Sequence, residues 1–116
     1  MKELFNVNEF SYEEFTLFKV ISRDREVPSS KNYINSLTGF RERKIKELVK
    51  QLRSKGVPVC SQVTNGGGYW IEFDKKEFGR FVAQQKIELH GYIKSYQTMR
   101  HIYDRLDGED ENGLFE

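Results

Sequence analysis

Nine positions toward the C-terminal end, Phe78, Val82, Gln85, Leu89, Tyr92, Tyr96, Met99, Tyr103 and Leu106, follow one another in alternating steps of four and three. A strand cannot put them on one face, because its side chains alternate with period two; a helix does so over four heptads. Asp74 stands where an N-cap is needed, and Glu77 three residues later predicts a capping box. Such a helix is roughly 45–50 Å long at 1.5 Å per residue, more than one small domain covers. The seam therefore predicts a coiled-coil homodimer, with Val82, Leu89, Tyr92, Tyr96, Met99, Tyr103 and Leu106 as its dimerisation residues. Tyrosine is bulky for such a seam, and Gly91 costs the helix about 1 kcal/mol relative to alanine.

Upstream the periodicity changes. In "FSYEEFTLFKVI", Ser11 and Glu14 form a capping-box pair, Phe10 is placed to staple onto Phe15, and Phe15, Phe18 and Ile21 make an apolar face. "SRDREVPSS" interrupts with polar residues and Pro28, and Ser29 or Ser30 can cap a short helix, "KNYINSL", with Ile34 and Leu37 inward. Thr38-Gly39 ends it. "FRERKIKELVKQLRSKG" follows with Ile45, Leu48, Val49 and Leu52 on one face and a stop at Gly56. "VPVCSQV" and "YWIEF" read as strands joined by "TNGGG", with Tyr69, Ile71 and Phe73 on one face and Trp70 and Glu72 on the other. The three glycines do not make a phosphate loop, which runs from a strand into a helix and carries a lysine. They suit the tip of a hairpin.

A chain of 116 residues, 37% hydrophobic and 32% charged, suits one domain with an extension, a modest core and much wetted surface. The expected divisions are an N-terminal segment (1–10), a domain (11–73), the heptad helix (74–107) and an acidic disordered tail (108–116). The single cysteine, Cys60, allows no internal disulfide and points to a reducing compartment. "MKELFNVNEF" lacks the apolar run of a signal peptide, and no stretch approaches the roughly 18 apolar residues of a membrane span. The chain is expected to be soluble and intracellular, with no membrane partner.

Catalysis finds little support. His90 and His101 lie eleven residues apart, about 16 Å along a helix. They cannot share a metal, and no cysteine or carboxylate cluster stands at ligand spacing. The expectation is a non-enzyme without catalytic residues, metal or cofactor. Cys60 reads as a small core residue, and Trp70 as packing on the outer face of the hairpin.

Charge is more informative. The net charge is +1, yet residues 41–55 hold seven basic residues and two acidic ones, while residues 107–116 hold five acidic and no basic ones. The positive charge sits on one helix. A short helix, a glycine turn and a second helix with a basic outer face make a helix-turn-helix pattern. The stretch "YINSLTGFRERKIKELVKQLRSKG" resembles the winged helix-turn-helix family in Leu37-Thr38-Gly39-Phe40 at the turn, Ile45, Leu48 and Leu52 inward, and Gly56 at the stop. "VPVCSQVTNGGGYWIEF" is similar to that family's wing. The "GVPVCS…GGY" arrangement resembles small phage and prophage winged-helix proteins and the front domain of biotin-repressor-type regulators. The resemblance covers about residues 11–73.

It implies a mainly α fold with a small β-hairpin, followed here by a long C-terminal helix. It also implies a dimeric protein that binds double-stranded DNA, a transcription regulator or phage-type replication or control factor in the cytoplasm of a bacterial or phage-infected cell. Arg41, Glu42, Arg43 and Lys46 fall in the first turns, where base contacts occur; Lys50, Arg53 and Lys55 suit the phosphate backbone. Lys31, Asn32 and the hairpin-tip residue Asn65 are further candidates for DNA contact. The chain departs from the family in having Arg41 where a small capping residue is usual, and no Lys or Arg at the wing tip. That uncharged wing and the acidic tail support the alternative, a protein–protein adaptor docking on a replication or transcription component.

Overall fold

The capping pair at Ser11 forms as the sequence predicts. In the computed structural model, which describes residues 5–63 and 67–106, the Glu14 N–H donates to Ser11 Oγ (3.2 Å) and the Ser11 N–H to Glu14 Oε1 (2.7 Å). This starts α1 (Tyr12–Val20). The stapling contact differs from expectation. The Phe10 ring packs on Phe18 (5.3 Å between centroids) and on Phe5 (6.0 Å), so its partner lies nearly one turn beyond Phe15. Phe15 is left in solvent beneath the Lys19 ammonium, and the buried stripe runs through Glu14, Leu17 and Ile21. An aromatic cluster at the domain edge thus rotates α1 relative to the face that phenylalanine spacing suggests.

Ser30 caps α2 (Lys31–Thr38) by accepting from the Tyr33 N–H. Ile34 is buried, but Leu37 is 56% exposed, a correction to the inward face read from spacing. The helix is too short, and stops too abruptly, to bury both. Gly39 ends it at φ 78°, a left-handed conformation that favours glycine. Thr38 Oγ1 then accepts from the Phe40 N–H, and the Asn35 amide donates to the Phe40 carbonyl, fixing the turn into α3 (Glu42–Ser54). Ile45, Leu48, Val49 and Leu52 of α3 are buried against Leu17 and Ile34, as their periodicity demands.

The hairpin pairs β1 (Val59–Gln62) with β2 (Gly68–Ile71), antiparallel, with Val59 opposite Ile71 and Cys60 opposite Trp70. Both strands are shorter than their apolar runs. Phe73 falls beyond β2, is 57% exposed, and stacks on Phe5 rather than sharing the buried face of Tyr69 and Ile71. The polar linker between α1 and α2 also pairs with β2. Ser29 and Tyr69 exchange N–H···O bonds at 2.8 Å, and the Ile71 N–H donates to the Ser22 carbonyl at 2.8 Å.

Asp74 starts α4 (Lys75–Arg105), accepting from the N–H groups of Lys76 and Glu77. The predicted capping box is not completed by Glu77, whose carboxylate pairs with Arg80. Glu72 takes that place and accepts from the Asp74 N–H. Residues 1–81 and residues 82–116 form two separate units. No residue of α4 is buried.

Candidate nucleic-acid interface

Burying Ile45, Leu48, Val49 and Leu52 turns Arg43, Lys46, Glu47 and Lys50 outward. Arg43, Lys46 and Lys50 lie three to four residues apart and form one exposed stripe along α3. Arg41 occupies the N-cap position, exposed, and makes no side-chain capping bond. Among the described residues Arg41, Arg43 and Lys50 have no ion-pair partner.

The other basic residues are engaged within the fold. Lys44 reaches back to Glu13 on α1 at 3.1 Å. Lys55 pairs with the buried Glu14 carboxylate and also donates to the Glu9 carbonyl. Burial opposes ionisation of Glu14, but the bonds from Lys55 and Ser11 outweigh it and hold its carboxyl below the usual range. Arg53 donates from Nε to the Val59 carbonyl (2.9 Å), and its guanidinium lies 5.5 Å from the centre of the Phe81 ring. Desolvation lowers its pKa. The basic surplus read from sequence is therefore partly spent on tying α3 to α1 and to β1.

Lys31, Glu42 and Lys46 come together. Glu42 Oε1 lies 3.0 Å from Lys31 Nζ on α2 and 3.2 Å from Lys46 Nζ one turn along α3. Hydrogen bonds from Lys31 and then Lys46 hold the Glu42 carboxyl below its ordinary value. The three side chains line a cleft of about 350 Å³ together with Ser61, Gln62 and Gly67 at the turn end of the hairpin. Ser61 and Gln62 could have been suspected only as polar residues at a strand end. Their approach to Lys31 is a tertiary fact. Asn32 is exposed on α2, and Asn65 lies outside the described residues, as does the acidic tail.

Elsewhere, Cys60 is fully buried, and burial, reinforced by the nearby Glu72 charge, pushes its thiol up to about 11. Trp70 is half-buried and donates from Nε1 to Glu72, whose carboxylate also binds Arg25 at 2.8 Å. His90 and His101 are exposed on α4. Among the described residues no group of three His, Cys, Asp or Glu side chains is placed to hold a metal, and no helix is long and apolar enough to cross a membrane. Val82, Leu89, Tyr92, Tyr96, Met99 and Leu106 are exposed, and Tyr103 is half-buried. Comparison of the chain with family models, curated proteins and solved structures gave no match.

Proposed function

We propose that the chain binds double-stranded DNA as a winged helix-turn-helix regulator or phage-type control factor, in copies paired through α4. The observation that carries this is the exposed basic stripe of Arg43 and Lys50, without an ion-pair partner among the described residues and continued by Lys46, on the helix that follows the Gly39 turn. A major groove admits one α-helix, and an arginine near the start of such a helix can bond guanine O6 and N7. Arg43 takes that role, with Arg41 beside it; Lys50, further along, binds phosphate. The hairpin is the wing. Its turn end lines the cleft that Lys31 and Lys46 also line, so the groove-entering helix and the wing approach the same duplex.

The test is equilibrium binding to duplex DNA across a salt titration. Arg43→Ala is expected to weaken binding by roughly 1–3 kcal/mol and to relax preference at one base position. Lys50→Ala should weaken binding to every duplex alike and reduce the salt slope by about 1. Lys44→Ala serves as the control, because Lys44 is turned toward Glu13. A folded protein that ignores duplex DNA at about 50 mM salt ends the proposal.

One observation favours the adaptor reading. An apolar groove of about 620 Å³, lined by Val57, Pro58, Phe73, Phe78 and Phe81, lies beside Arg53. On that reading, charge reversal at Arg43 and Lys50 leaves the complex with the partner intact.

A further inference from the structure

We infer that Glu42 sets the selectivity of the α3 surface, weakening its hold on arbitrary DNA and favouring a duplex that presents a cytosine amino group to the start of the helix. This rests on the DNA-binding reading. Glu42 is the first residue of α3 and lies within the stretch that enters a groove. It is exposed, so its two ion pairs are screened by water and contribute little to folding. Both lysines meet the same oxygen, Oε1, and among the described residues nothing donates a hydrogen bond to Oε2.

A carboxylate in that position acts in two directions. Opposite a phosphate, or opposite the O6 and N7 acceptors of guanine, it repels, and it occupies two ammonium groups that would otherwise bind phosphate. Opposite the N4 amino group of cytosine it accepts a hydrogen bond. Once the carboxylate turns to a base, Lys31 and Lys46 are released toward the backbone. A correct duplex therefore gains a base contact and two phosphate contacts together, whereas a wrong one gains neither. The cleft beside the turn end of the hairpin, with Lys31 and Lys46 on its wall, gives a phosphate room to enter.

The experiment selects a preferred duplex from a random library with the unaltered protein. Affinity for that duplex and for a scrambled one is then measured against salt, for the unaltered chain and for Glu42→Gln. With the natural residue, the selected duplex should show a steeper salt slope than the scrambled one by about 1.8, the value for two further phosphates. Glu42→Gln should bind scrambled DNA roughly tenfold tighter and lose most of the slope difference. Replacing one cytosine of the selected site by thymine, which presents O4 instead of an amino group, should cost the natural protein about tenfold and the variant little.

Unchanged affinities and slopes in Glu42→Gln overturn the inference, as does a selected site in which no cytosine matters. If Arg43→Ala still weakens binding in either case, the DNA reading stands without it. If the folded protein binds no duplex at all, both fall. Thermal melting of Glu42→Gln confirms that the variant is folded.

Discussion

Glu14 is 3% exposed and still charged, because the Ser11 N–H and the Lys55 ammonium both donate to its carboxylate. Its folded pKa lies below the ordinary value. An unfolded glutamate titrates near pH 4.3, so this group stabilises the fold above about pH 4.3, and the contribution is lost as the pH falls through the lower folded value. Glu14→Gln is expected to cost about 2 kcal/mol at pH 7, the size of a hydrogen bond to a charged group. Under acid the gap to the natural protein should narrow. Urea unfolding at pH 7 and at pH 3 measures both, and an equal gap at the two values would show that the Lys55 pair contributes nothing. The capping role of Glu14 was legible from the Ser-x-x-Glu spacing. Its bond to a lysine forty-one positions away was not, because only the packing of α1 on α3 brings the two together.

At the scale of elements, α3 was legible in full. Its four inward residues repeat with helical spacing, and Gly56 follows. The long C-terminal helix and the antiparallel strand pair were legible for similar reasons. The linker between α1 and α2 was not, since "SRDREVPSS" has no apolar alternation and Val27 is its single strand-forming residue. It is ordered by backbone bonds from Ser22 and Ser29 to β2, which leave no trace in residue type. Gly68 carries the one sign of this pairing. Its φ is 137°, and a Cβ there would stand 2.8 Å from Pro28 Cβ and 3.2 Å from the Ser29 carbonyl oxygen. Gly68→Ala should therefore push the linker off β2 and cost about 3 kcal/mol, combining strain with the clash. Gly39→Ala has open space around it and carries strain alone, so it should cost about 1–2 kcal/mol. Melting temperatures of the two variants decide the matter, and equal losses would mean that the linker does not press on β2. The candidate interface was half legible for the same reason. The basic residues are visible in the sequence, but which of them face solvent depends on Glu13, Glu14 and Glu42, whose positions only the fold supplies.

At the scale of the whole molecule, α4 from Val82 onward holds a row of large apolar side chains in water, among them Leu89 (56% exposed), Tyr92 (74%) and Met99 (60%). We propose that a row of this length is an association surface rather than scattered exposure. A stable pair needs roughly 800 Å² per partner, and side chains of this size along about seven turns supply an area of that order. The occupant we propose is a second copy, because a heptad seam complements itself. The pairing also serves the proposed function. Two reading heads on one duplex make the second contact intramolecular and raise the apparent affinity well beyond that of one head. The expected mass in solution is near 28 kDa, twice the 13.8 kDa chain. Leu89→Glu puts a charge in the middle of the seam and should leave a 13.8 kDa monomer with DNA affinity at least roughly tenfold weaker. Arg43→Ala should lower DNA affinity and leave the mass unchanged. The pair of variants separates the two surfaces. A Leu89→Glu protein that keeps the mass of the natural chain would place self-association elsewhere on the molecule, and one that becomes monomeric yet binds DNA equally well would detach pairing from DNA recognition.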